Sequence, residues 1–166
     1  LEEKQRGYIH QYYKENIRPL LSPQIIDPRH PFPHLKNKAL YAAALLRNKN
    51  HWLLGIVAVP DSVPDILRLP DEPGKFVRVE TIVLYYLKKI FHIYTVEEQA
   101  IISVTRNADL SYDEEKFDED NPDFRSHMSK LLRLRDRLAP VRLEMQGEMP
   151  TLRQLLLERL KLTAEQ

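Results

Sequence analysis

The sequence predicts an α+β domain, a mostly antiparallel sheet covered by about four helices. Three observations predict it. Runs with helical apolar spacing alternate along the chain with short runs of branched and bulky residues. Two neighbouring apolar runs, 39–47 and 52–59, are joined by Asn48-Lys49-Asn50, a turn composition, and read as a hairpin. At 166 residues, with 43% hydrophobic and 30% charged content, the chain has the size of one domain with its own core, spanning 1–166.

Leu1 to Asn16 is an amphipathic helix. Leu1, Tyr8, Ile9, Tyr12 and Tyr13 lie at rough helical spacing, and Glu2, Lys4, Arg6 and Glu15 face water. Gly7 weakens this helix and Pro19 ends it. A short strand is expected around Ile17 to Leu21. From Pro19 to Asn37 five prolines fall within nineteen positions. Each fixes its own φ and biases the residue before it, here Arg18, Ser22, Asp27, His30 and Phe32, toward extended backbone. Leu20, Leu21, Ile25, Ile26, Phe32 and Leu35 set this stretch apart from a disordered proline-rich linker. It reads as a stiff, extended segment that docks onto a body.

The run at 39–47 is ambiguous on its own. Its alanines and leucines favour a helix by propensity, whereas its almost continuous apolar character fits a strand buried on both faces. Pairing with the branched run Trp52 to Val59 settles the expectation as strand. Pro60 to Pro73 is a surface excursion with one extended piece at Ile66 to Leu69, and Phe76 to Arg78 is a brief strand. Val79 to Phe91 is a helix with Val79, Ile82, Val83, Tyr86, Leu87, Ile90 and Phe91 in one stripe, and Lys88 and Lys89 complement the dipole of its last turn. Ala100 to Thr105 is a strand. Asp109 to Asp123 is acidic and loop-like. Asn121-Pro122 starts a helix to about Leu138. Val141, Leu143 and Met145 alternate with polar residues in a half-buried strand, and Pro150 opens a last helix with Leu152, Leu155, Leu156 and Leu160 on its apolar face.

Composition excludes several classes. Without cysteine there are no disulfides and no thiolate chemistry. No apolar run is long enough to cross a bilayer, and no signal peptide pattern occurs. With 25 basic against 24 acidic residues, the net charge of +1 lacks the basic excess of a dedicated polyanion binder. Both ends read as cuts through a longer polypeptide.

The six histidines form no constellation. His30 and His34 are four apart, but Pro31 and Pro33 deny them a shared helix face, so they read as loop residues bonding locally or meeting a partner. There is no phosphate-cradling glycine loop and no nucleophile elbow. The acidic run at 113–123 reads as a solvated loop. Thr105, Arg106, Asn107 and Asp109 follow a strand directly, where side chains are displayed on a rigid edge. Arg106 suits a forked contact with a phosphate, or an ion pair within the domain, with Asn107 and Asp109 bonding nearby backbone. Arg125 to Arg137 is either a solvated amphipathic helix or a polyanion groove. Trp52, Tyr41, Tyr85 and Tyr86 sit within apolar runs and read as core or interface residues.

Three blocks carry a family resemblance. Asn16 to Pro23 leads into IDPRHPFPHLKN at 26–37, VTRNADL stands at 104–110, and PVRLEM at 140–145. In this order the set resembles the middle ("head") domain of bacterial polyphosphate kinases over nearly the whole chain. Ala42 to Ala44 depart from it, standing where more strand-like residues are expected. The resemblance implies a parent enzyme that reversibly transfers the terminal phosphate of ATP to inorganic polyphosphate through a phosphohistidine, with magnesium. It places the catalytic histidines in following domains and the adenine contacts in a preceding one. No histidine here is matched to the nucleophile, so no catalytic, cofactor or metal residue is carried over. What the resemblance does imply is a structural role in domain docking and dimer assembly. His30, Phe32, His34, Asn37, Arg106, Asn107 and Asp109 are the candidate interface or polyanion contacts.

The expected function is therefore a non-catalytic middle domain, inactive alone. It needs no cofactor itself, although its parent uses ATP and magnesium. Its partners are the other domains of the same kinase and a second subunit, with polyphosphate as a further contact and nucleic acid not expected. The implied location is cytoplasmic, with a membrane-peripheral parent left open. The alternative is an independent polyanion-binding module acting through Arg106 and the 125–137 helix. A small stand-alone enzyme has only the histidines in its favour.

Overall fold

A computed structural model of the chain describes residues 3–27, 29, 31–70, 73–107 and 139–163. The elements in chain order are α1 (Glu3–Tyr12), β1 (Gln24–Ile26), β2 (Leu40–Asn48), β3 (His51–Ala58), β4 (Ile66–Arg68), β5 (Phe76–Arg78), α2 (Val79–Ile90), β6 (Thr95–Arg106), β7 (Pro140–Met145) and α3 (Pro150–Leu160). Five strands form one sheet in the order β1-β3-β2-β6-β7, every neighbour antiparallel. β4 and β5 make a separate two-stranded ribbon. This is the expected α+β architecture, with three helices among the described residues; the helix expected from 121 to 138 lies outside them.

β2 forms as a strand against its helical propensity because both of its faces are covered. Ala42, Ala44 and Leu46 join the core under α1 and α2, while Tyr41, Ala43 and Leu45 join the core under α3 and the proline-rich segment. Ala42, Ala43 and Ala44 are fully buried. A strand covered on both sides needs apolar residues at every position, which erases the period of two. The turn to β3 is the two-residue loop Lys49-Asn50, with Lys49 at φ 53°, the left-handed backbone that tight hairpins require.

The chain departs from the expected strand at Ile17 to Leu21. α1 runs instead into a π-helical turn at Tyr13–Ile17 and a 3-10 turn at Arg18–Leu20. Ile17 is fully buried as the last anchor of the helical face, so the backbone stays helical through Arg18 even though Pro19 follows. Pro19 sits at the start of a turn, where its missing amide leaves nothing unpaired. The extended piece comes later, at Gln24–Ile26, where the chain reaches the open edge of β3.

β6 is longer than expected and begins at Thr95. Its early residues Glu97, Glu98 and Gln99 lie before the expected strand, and Glu98 faces α3 and accepts a 2.7 Å hydrogen bond from the Leu152 amide in the first turn of that helix. The Met149 side chain cannot cap it, so the cap comes from the sheet. Glu98→Ala is expected to lower stability by about 0.5–2 kcal/mol. Urea unfolding reads this out, and a midpoint equal to that of the parent chain would remove Glu98 from the cap.

Candidate functional site

The first two sequence blocks meet in space. The proline-rich segment is pinned at several points. The Asp27 carbonyl accepts a hydrogen bond from Arg159 Nη2 of α3 at 3.0 Å. Arg29 donates its amide to the Asp27 carboxylate at 2.7 Å. Leu35 is buried in the second core with Phe32 packed against it. The Lys36 amide donates to the Tyr41 hydroxyl at 2.9 Å, and the Lys38 amide to the Val104 carbonyl at 2.8 Å.

Arg106 completes the joint. Its amide donates to Asn37 Oδ1 at 2.9 Å and its Nε to the Leu35 carbonyl at 2.9 Å. It is only 8% exposed. Ala100, Ile102 and Val104 belong to the same core at alternate positions of β6, and Arg106 continues that phase inward. Period-two counting along β6 was the signal for its burial. Asn107 donates its backbone amide to the Ala139 carbonyl at 3.0 Å, which ties the end of β6 to the residue before β7. Of the seven candidate residues, the structure brings Asn37, Arg106 and Asn107 to this joint and half-buries Phe32 nearby. His34 stands exposed. His30 and Asp109 lie outside the described residues, as does the arginine-rich stretch 125–137.

The opposite face carries a set that sequence reading missed. α1 and α2 are joined by an aromatic cluster. Tyr13 stacks on Tyr86 with centroids 3.8 Å apart, Tyr86 shares a 3.0 Å hydrogen bond with His10 Nδ1, and Lys89 Nζ lies 5.3 Å from the Tyr86 ring centre. Burial pushes both phenols above the usual tyrosine range. The Arg18 guanidinium pulls Tyr13 partly back, and the neighbouring tyrosines add to the upward push. Both hydroxyls therefore stay neutral at physiological pH. Beside them opens a cavity of about 530 Å³ whose basic lining is His10, Lys14, Arg18, Lys89 and His92. The signal was present as His10, Lys14 and Arg18 at steps of four, but their partners come from the far end of α2.

Several large apolar side chains face outward. Tyr85 is 74% exposed and Trp52 51%, so of the core and interface readings only the second is left for them, whereas Tyr41 and Tyr86 are buried in the core. Ile66 and Phe76 line an apolar recess on the β4–β5 ribbon. Among the described residues no cluster of three His, Asp or Glu side chains is arranged to hold a metal ion, and no helix is long and apolar enough to cross a membrane.

Comparison with known proteins places these features in a family. The family model of the polyphosphate kinase middle domain matches residues 4–166. The chain is 36% identical over 169 residues to a polyphosphate kinase of Halalkalibacterium halodurans, covering 98% of the chain and 23% of that protein. It is 39% identical over 123 residues to one of Bacillus cereus, covering 69% and 18%. The crystal structure of polyphosphate kinase from Porphyromonas gingivalis superposes with a TM-score of 0.71 at 22% identity, over 99% of this chain and 23% of that one, and has the same fold. The chain thus spans about a quarter or less of the length of these relatives.

Proposed function

The chain belongs to the polyphosphate kinase family, as its middle domain, and we propose that it is a non-catalytic packing body of a larger kinase that docks neighbouring domains and contributes to a dimer. The parent reaction in this reading is reversible transfer of the ATP γ-phosphate to polyphosphate through a phosphohistidine, with magnesium, carried out by residues outside 1–166. The observation that carries the reading is the division of labour in the chain. The first two family-resembling motifs meet at an internal joint, with Arg106 on the Leu35 carbonyl. Large apolar side chains on the ribbon and α2, including Phe76 and Tyr85, turn outward. Exposed apolar surface of that kind marks interaction surfaces.

The test has two arms. Incubated with ATP and magnesium, the 166-residue chain is expected to make no polyphosphate and to take up no label from the γ-phosphate. Within the full kinase that contains it, Phe76→Glu combined with Tyr85→Glu is expected to shift the sedimentation profile toward monomer or to expose domain linkers to protease. Turnover by the chain alone overturns the non-catalytic assignment, and unchanged assembly in the double variant overturns the packing role.

A further inference from the structure

The five-stranded sheet ends in two edges, and they differ. β1 offers three residues, Gln24–Ile26, set between Pro23 and Pro28. Shortness and flanking proline are common means of keeping a sheet edge unpaired. β7 offers six residues, with its proline, Pro140, at the first position, and among the described residues no strand pairs with its outer side.

The hydrogen-bond phase fixes which backbone groups of β7 face outward. The Gln146 amide donates to the Ile101 carbonyl of β6 at 2.9 Å. Backbone groups alternate in direction along an antiparallel strand, so those of Glu144 point toward β6 and those of Leu143 and Met145 toward the open side. Side chains alternate between the faces as well. Leu143 and Met145 pack against the core under α3 but are only half-buried, and Val141 is 37% exposed. Arg142 and Glu144 stand on the other face, with side chains 64% and 50% exposed and 2.9 Å between their charged atoms.

The order of residues from Val141 to Met145 is complementary to itself when run antiparallel. We infer that the β7 edge pairs with the β7 edge of a second copy of this chain, about a two-fold axis at Leu143, so that two sheets become one. In this register the two Leu143 residues exchange amide and carbonyl. Arg142 of each copy then faces Glu144 of the other at the non-hydrogen-bonded positions, where facing side chains are closest. Registers centred on Arg142 or on Glu144 set like charges opposite each other, which is destabilising. Leu143 meets Leu143 of the second copy and Met145 meets Val141, covering apolar surface that the single chain leaves part-open. A row of lysines would guard the edge against a second copy, whereas one arginine and one glutamate two positions apart admit it. One strand from each copy makes an interface at the low end of the size range, so the assembly is a concentration-dependent equilibrium. The inference rests on the dimer contribution proposed above and gives it a surface, while Phe76 and Tyr85 belong to other elements.

Sedimentation velocity of the 166-residue chain tests this, with a shift from monomer toward dimer expected between about 1 µM and about 1 mM. Arg142→Glu alone, or Glu144→Arg alone, sets like charges across the axis and is expected to weaken self-association by about tenfold or more. Mixed in equal amounts, the two variants are expected to form a heterodimer about as tight as the parent dimer, because every acid then faces a base. Far-UV circular dichroism confirms that each variant is folded, and recovery in the mixture is a result that misfolding does not produce. A chain that stays monomeric throughout, self-association untouched by either reversal, or variants that stay monomeric when mixed overturns the β7 edge as the interface. The packing role answers instead to the Phe76 and Tyr85 variant of the full kinase, so the two readings fail by different measurements.

Discussion

Gly55→Ala will destabilise the chain by about 1–3 kcal/mol, although alanine is the better residue for a strand interior. Gly55 lies in the middle of β3, paired with Ile25 on one side and Ala44 on the other. A Cβ at this position meets Leu46 Cδ1 at 2.8 Å and Phe91 Cζ at 2.8 Å. Both contacts are far ends of side chains, which ordinarily swing away. Here Leu46 is fully buried and Phe91 nearly so, at the close of α2, so neither has room to move. The glycine is therefore required by the closeness of α2 to the sheet and not by its backbone angles. Phe91→Leu removes the opposing ring and should recover part of the loss, so a double-mutant cycle in urea is expected to show coupling between the two positions. Strict additivity, or an alanine variant as stable as its parent, would contradict this account of the packing.

Arg106→Ala will cost about 2–3 kcal/mol, because it strands the buried Leu35 carbonyl and leaves a gap at the joint. Arg106→Lys is expected to recover only part of the loss, since an ammonium cannot reproduce an Nε donor held in a planar group. Chemical unfolding measures both.

The outcome at Arg106 shows where sequence reading stops. Its position after a strand, in a polar motif, is equally consistent with a displayed cation and with an internal tie. The deciding fact is that the Leu35 carbonyl, far away in sequence, lies beside it. At Ile17 to Leu21, Pro19 does not decide the backbone. A buried isoleucine held the backbone helical one turn further than local preference allows. At Glu97 to Gln99 the strand extends through polar residues, one of which serves the end of a helix on the neighbouring layer. The basic cavity was missed for a related reason: His10, Lys14 and Arg18 come from α1 and the turns after it, Lys89 and His92 from the end of α2 and just beyond, and only folding brings the two groups together.

The amino-acid order alone determined the class of fold, the hairpin, both helices with clean apolar stripes, and the family. These rest on local periodicity, turn chemistry and ordered motifs, all of which act between residues near one another in the chain. Tertiary structure alone decided that Arg106 is a strut while Arg18 lines a cavity, why the three alanines make a strand, and where basic side chains gather. Those outcomes depend on which groups lose access to water and which find partners across the sheet, and burial is a property of the packed layers, not of any single segment.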